Sequence, residues 1–289
     1  MSKISCLVCI TNPEERQDIW RESISSMFPW ADEIIVVNGG KPFSLKDVLK
    51  LGNVDEDVDL KFIDLPWPHD FSWDELPKHL NMGLKYCTGD WVVRADIDYV
   101  FKDSWKDGLS ELEKFRDKRI VTAQKFSTVL ANKVYQKGPT QMIINMKYGD
   151  MYFGIAEGEY TDLCVPIIKT GMQGDIPKGR LVPDKDIGKS HLEFMNYDYC
   201  FKTKGFTAKE FLRFSLAHKR YFGTTNWGET EEEALEKFIN MMEARLVKGD
   251  RHIYYMPWQE HPSFIQERVK NIKPSEFGFD GWGTFKKGK

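Results

Sequence analysis

Along the first 120 residues, short apolar-rich runs alternate with segments whose apolar residues recur at helical spacing, and this constrains the fold most. Ile4 to Ile10, Glu33-Ile-Ile-Val-Val37, Leu60 to Leu65 and Asp90-Trp-Val-Val-Arg-Ala-Asp-Ile-Asp98 read as four strands. Strands interleaved with helices predict a mostly parallel sheet with crossover connections. Between the first two runs, Asn12 is a helix cap, Pro13 suits the first turn and Glu15 has capping-box spacing. Ile19/Trp20, Ile24 and Met27/Phe28 then form the apolar face of a helix. Asn38-Gly39-Gly40 and Pro66 open the second and third strands into loops.

Further helices are expected from about Asp74 to Tyr86, and from a Ser104 cap through Arg116. Residues 120 to 172 read as mixed strands and loops without clear periodicity. Two more helices start at the capping-box pairs Thr207/Glu210 and Thr230/Glu233, the second running to Gly249.

The 289 residues suffice for one large α/β domain or two small ones. Apolar residues at 41% and charged residues at 29% are those of a globular chain. A net charge of -3 argues against a broad polyanion-binding surface and against nucleic acid as partner, leaving room for a local basic patch that holds a diphosphate. The N-terminal apolar stretch is too short for a signal peptide, and no window reaches the roughly 20 apolar residues of a membrane helix. A cytoplasmic protein is expected, with contact at a membrane surface as an option. Five scattered cysteines, Cys6, Cys9, Cys87, Cys164 and Cys200, fit reduced thiols. Cys6 and Cys9, three apart on a strand, point to opposite faces and cannot share a metal.

Asp-x-Asp occurs four times, at Asp55/Asp57, Asp57/Asp59, Asp96/Asp98 and Asp184/Asp186, and only Asp96/Asp98 directly follows an apolar strand. Ligands of open α/β sheets bind beyond the carboxyl ends of the strands, which puts this pair where a site forms. Two carboxylates there suit a hard divalent cation, Mg²⁺ or Mn²⁺, shared with diphosphate oxygens.

The order of these features, with Thr11-Asn12, Asn81-Met-Gly-Leu84 and Gly89-Asp-Trp-Val-Val-Arg-Ala-Asp-Ile-Asp98, resembles the family-2-like glycosyltransferases of the GT-A type over residues 3 to 105. The resemblance implies a GT-A-like, Rossmann-like α/β fold: a mostly parallel central sheet flanked by helices, with a helical C-terminal region. It implies a nucleotide-sugar-binding half at 1–130, an acceptor-side half at 131–205 and a C-terminal extension at 206–289. Sugar would pass from a nucleotide diphosphate to an acceptor hydroxyl of a glycan, lipid or protein, inversion being the expected stereochemistry.

By position, Thr11, Asn12, Asn38, Lys78 and Asp96 would meet the donor, and Asp96, Asp98 and His191 would hold the cation. Asn38 stands where the family usually has Asp, which leaves a uracil preference open. For the general base, Glu157 ranks before Glu159 and Asp162 in the acidic segment Gly154 to Asp162. Trp67, Trp73, Tyr197 and Tyr199 are candidate stacking platforms, and the aromatic tail Phe277 to Phe285 a lid, interface or packed end. A nucleotidyltransferase is the nearest alternative, although Thr11-Asn12-Pro13-Glu14 lacks a glycine-rich phosphate loop. A non-catalytic nucleotide-sugar-binding protein is the other.

Overall fold

The computed structural model describes residues 2–41, 58–67, 75–157, 164–248 and 252–272. The strands in chain order are β1 (Ile4–Ile10), β2 (Glu33–Asn38), β3 (Asp59–Asp64), β4 (Trp91–Ala95), β5 (Tyr99–Phe101) and β6 (Ile120–Leu130). They continue with β7 (Lys133–Asn145), β8 (Met151–Ala156), β9 (Val165–Gln173), β10 (Ile176–Leu181), β11 (Ile187–Asn196) and β12 (Tyr254–Tyr255). The helices are α1 (Trp20–Ser25), α2 (Glu75–Leu84), α3 (Gly108–Glu113), α4 (Lys204–Phe222), α5 (Glu231–Glu243) and α6 (Gln266–Lys270).

Among the described residues, nine strands form one sheet in the order β3-β2-β1-β4-β7-β6-β11-β5, with β12 on the side of β7. Only β7 and β5 run against the rest, so seven of the nine point the same way. β8, β9 and β10 close on one another as a separate small sheet. The expected α/β architecture with a mostly parallel central sheet is present.

Burial explains why the first strands are so apolar. Along β1, Ile4, Cys6, Val8 and Ile10 enter a core with Trp20 and Ile24 of α1, while Leu7 enters a second core with Leu80 and Leu84 of α2. The same split divides Ile34/Val36 from Ile35/Val37 on β2, and Trp91/Val93/Ala95 from Val92 on β4. Helices on both faces leave no wet side, so these strands lose the polar alternation of a half-exposed sheet. Cys6 and Cys9 point to opposite faces, Cys6 Sγ lying 3.4 Å from Met27 Sδ. The C-terminal helices α4 and α5 pack Phe211, Ala234, Phe238 and Met242 against Val129 and Leu130 of β6 and Tyr135 of β7. No helix among the described residues is long and apolar enough to cross a membrane.

Three helix starts differ from expectation. α1 begins at Trp20, not Pro13, because the Asn12 side chain accepts from the Lys41 amide (2.8 Å) instead of capping, and residues 13–17 form turns. Positive φ at Asn12 (43°) and Gln17 (56°) breaks any helix there. Ser104 does not cap its helix: a 3₁₀ segment at Asp103–Asp107 precedes α3, and the Ser104 hydroxyl accepts from the Glu193 amide. For α4 the cap is Thr203, whose side chain accepts from Phe206 N, and not Thr207; Glu210 is engaged elsewhere. Thr230 caps α5 as expected, accepting from Glu233 N at 3.2 Å.

Candidate functional site

In the parallel part of the sheet, chain order reverses at β1, with β2 and β3 to one side and β4 to the other. Crossover helices then lie on opposite faces and leave a crevice beyond the carboxyl ends of β1 and β4. A cavity of about 720 Å³ fills this crevice. Its walls come from the turns after all four strands: Thr11 and Asn12, Gly39 to Lys41, Pro66 and Trp67, and Asp96 to Asp98. The C-terminal half contributes Asp198, Lys202, Glu210, Arg213 and Phe214.

Close backbone approach shapes the first wall. A side chain on Gly39 would lie 1.7 Å from Trp67 Nε1, and one on Gly40 would lie 2.6 Å from the Asn12 backbone nitrogen. Only glycine leaves room for these loops to touch. Asn38 is 1% exposed and holds the loop from beneath: its amide donates to Lys41 O and Asp64 Oδ1, and its oxygen accepts from Gly40 N. Trp67 stacks on His79, with ring centroids 4.8 Å apart. Both His79 nitrogens face backbone carbonyls, Glu75 O at 2.9 Å and Leu65 O at 2.5 Å, which ties α2 to the end of β3.

The acidic pair sits on a turn closed by Tyr99 N to Asp96 O, not on a continuing strand, and both carboxylates still line the one cavity. Burial works against the Asp96 anion, but Arg94, Lys125 and the Tyr99 hydroxyl outweigh it and hold its carboxyl below the usual range. Arg94 reaches Asp96 at 3.1 Å, and Lys125 donates to the Tyr99 hydroxyl at 2.8 Å. Asp98 behaves oppositely. Burial first, then the charges of Asp198 and Asp96, push its carboxyl up to about 8, against the pull of Lys125 and Lys202. Its Oδ2 accepts from Asn196 at 2.8 Å, at the end of β11.

A buried charge cluster joins this turn to α4. Lys202, 3% exposed at its side chain, reaches Glu210 Oε2 at 2.9 Å, Asp18 Oδ1 at 3.2 Å and Asp198 Oδ1 at 3.3 Å. Arg16 bridges the same Asp18 and Glu210, each at 2.9 Å. Burial disfavours the Lys202 cation, yet Asp198, Glu210 and Asp18 raise its pKa well above that of a free lysine.

The structure therefore brings Thr11, Asn12, Asp96 and Asp98 to one cavity and leaves other sequence candidates outside its walls. His191 is exposed on β11 in a separate shallow depression beside Glu111, whose carboxylate accepts from its backbone amide. Lys78 pairs with Glu75 on α2 at 2.9 Å. Glu157 accepts from the Thr170 hydroxyl at 2.7 Å, on the small sheet. Tyr197 is buried and hydrogen-bonded to His261, and Tyr199 packs against Phe211 and Phe238. Asp55, Asp57, Trp73, Glu159, Asp162 and the tail from Phe277 lie outside the described residues. Arg16, Asp18, Asp198, Lys202, Glu210 and Arg213 were not anticipated. Of these, Asp198 lies between the candidate stacking residues Tyr197 and Tyr199, two residues after the end of β11.

A hard dication needs one or two carboxylates when diphosphate and water supply its other oxygens. Asp96 and Asp98 meet that requirement, and the crowding of Asp98 by Asp96 and Asp198 is the kind of negative charge a cation relieves. Among the described residues no group of three His, Cys, Asp or Glu side chains is placed to hold a metal unaided.

Fold and site thus define an α/β protein with a cavity of about 720 Å³ at the switch point of a mostly parallel sheet. Comparison with solved structures finds similarity to S. aureus TarS 1-349 at 13% identity and TM-score 0.42, covering 86% of this chain and 73% of that one. The complex of the same protein with UDP-GlcNAc is similar at 14% identity and TM-score 0.40, over 86% and 74% of the two chains. The mannosyltransferase PcManGT from Pyrobaculum calidifontis, in complex with GDP-Man and Mn²⁺, is similar at 10% identity and TM-score 0.41, over 85% and 70%. Comparison of the sequence with protein-family models and with curated proteins gives no match.

Proposed function

We propose that the chain is a GT-A-like glycosyltransferase, moving a sugar from a nucleoside diphosphate to an acceptor hydroxyl by direct displacement with inversion. The observation that carries this reading is the meeting of the Asp96–Asp98 turn with the Thr11–Asn12 and Gly39–Lys41 turns around one cavity at the switch point. Its volume, about 720 Å³, suits a nucleotide sugar. The nucleoside would lie against Thr11, the Gly39–Lys41 loop and Trp67, and the diphosphate would face the acidic turn. Asn38 would act by holding that loop. A divalent cation, Mn²⁺ or Mg²⁺, would be held by Asp98 with Asp96 beside it and, as a Lewis acid, would offset charge on the departing diphosphate. Arg94 would keep Asp96 ionised, and Arg213 would bring a positive charge to the opposite wall, where Arg16 is already matched by Asp18 and Glu210. For the acceptor base, Glu157 and Asp162 remain the candidates. Residues 1–130 would then be the donor half, 131–205 the acceptor half and 206–289 an extension that closes the cavity.

The test is a thermal-shift panel of UDP and GDP with and without Mn²⁺, followed by donor hydrolysis. Ligand that binds only the native chain raises its stability by mass action. Nucleotide and Mn²⁺ together are expected to exceed the sum of their separate shifts. Absent shifts across the panel would refute the reading. Loss of hydrolysis in Glu157→Gln or Asp162→Asn would separate the two base candidates.

A further inference from the structure

β11 ends at Asn196, 9% exposed, whose side chain makes two contacts of different kinds. Its Oδ1 accepts from the Asp198 amide at 3.2 Å, a side-chain turn that asparagine and aspartate both form. Its Nδ2 faces the other way and donates to Asp98 Oδ2 at 2.8 Å. An N–H at one end and a carboxylate at the other fix which way the amide points. An aspartate would make the same turn, but would set another anion against Asp98. The strand end therefore needs only the oxygen of Asn196, and the nitrogen serves the acidic turn.

The backbone holds this contact from both sides. Asn196 pairs with Tyr99 of β5 and with Ser127 of β6. Tyr197 N donates to Asp98 O at 3.0 Å, and the Thr128 hydroxyl donates to Asn196 O at 3.0 Å. Asp98 thus lines the cavity with Oδ2 already committed. On Asp96, Arg94 takes Oδ1 at 3.1 Å. Each carboxylate keeps at most one oxygen for a ligand.

We propose that Asn196 is a positioning residue that restricts Asp98 to single-oxygen ligation and so sets a preference for a small six-coordinate cation, Mn²⁺ or Mg²⁺, over Ca²⁺. The role rests on the reading above that a cation is held at Asp98. One oxygen from each carboxylate, with diphosphate oxygens and water, suffices for the octahedron that Mg²⁺ demands. Ca²⁺ takes about six to eight oxygens at longer distances and commonly uses both oxygens of a carboxylate. Asn196 and Arg94 withhold that second oxygen.

The experiment measures Mn²⁺ binding with UDP or GDP by electron paramagnetic resonance, and Ca²⁺ binding by displacement of the Mn²⁺. It compares wild type, Asn196→Ala, Asn196→Asp, Thr128→Val and Asp98→Asn, with circular dichroism confirming each fold. Asn196→Asp keeps the oxygen that forms the turn and loses only the donor, so it carries the test if Asn196→Ala unfolds. Thr128→Val loosens the same strand end without touching the amide. The preference for Mn²⁺ over Ca²⁺ is expected to fall roughly tenfold in both Asn196 variants and to change by less than about threefold in Thr128→Val. An equal fall in Thr128→Val would reduce Asn196 to a structural part of the strand end and overturn its role. Mn²⁺ uptake by the wild type that is lost in Asp98→Asn, beside an unchanged preference in the Asn196 variants, refutes the role of Asn196 alone. No Mn²⁺ uptake by the wild type with either nucleotide refutes the cation reading and the role of Asn196 with it.

Discussion

Asp98→Asn is expected to stabilise the ligand-free protein at neutral pH while abolishing the sugar transfer proposed above. The Asp98 carboxyl is raised from 3.8 in the unfolded chain to about 8 in the fold. A raised carboxyl favours the folded state less and less as pH climbs, because the native state holds a proton that the unfolded chain releases. The deficit opens near pH 4, grows to about pH 8 and is constant above. At pH 7 it spans about three pH units at roughly 1.4 kcal/mol each, a ceiling of about 4 kcal/mol. Asp98 is half-buried and lines the cavity, and solvent screening there reduces the figure to about 1–2 kcal/mol. The amide oxygen can still accept from Asn196, so little is lost in exchange. Denaturant unfolding at pH 5 and pH 8 should show the variant ahead by that amount only at the higher pH, with a melting point raised by several degrees. A variant less stable than wild type at pH 8, or an equal gain at both pH values, would refute the electrostatic account of the turn.

Lys202→Met should cost about 3–5 kcal/mol by urea denaturation, since it leaves Asp18, Asp198 and Glu210 with one fewer buried cation. Gly40→Ala should cost about 1–3 kcal/mol and abolish the nucleotide-induced thermal shift, because the new methyl would lie 2.6 Å from the Asn12 backbone nitrogen. Asn38→Ala should lower stability by about 1–3 kcal/mol, with nucleotide affinity in calorimetry falling only as the loop loosens. Lost affinity at unchanged stability would instead make Asn38 a reader of the base.

What could be read from the sequence was set by the range of the interactions. β1, β2 and β4 were legible because burial on both faces writes an apolar run into the strand itself, and Asp96/Asp98 because the pair directly follows such a run. The Asn12-Pro13-Glu15 signal pointed to a helix that does not form, since Lys41, 29 residues away, claims the Asn12 oxygen that would have capped it. At α4 the Thr207/Glu210 spacing misplaced the start for a similar reason: Glu210 faces Arg16 and Lys202. His191 was a candidate ligand through the family resemblance alone. The register of β11 instead puts Asn196 beside Asp98 and leaves His191 nearer the other end of the strand.

The buried cluster around Lys202 also bears on the order of assembly. Arg16 and Glu210 are 194 positions apart, so during synthesis the turn after β1 must wait for most of the chain before its charges are matched. At about 5–20 residues per second that wait is roughly ten to forty seconds. Through that interval the early strands can pair, but Arg16 and Asp18 have only each other and solvent. Completion of the cavity is therefore a late event on the ribosome, and a chain truncated before α4 would be expected to bring its first strands together without a finished binding site.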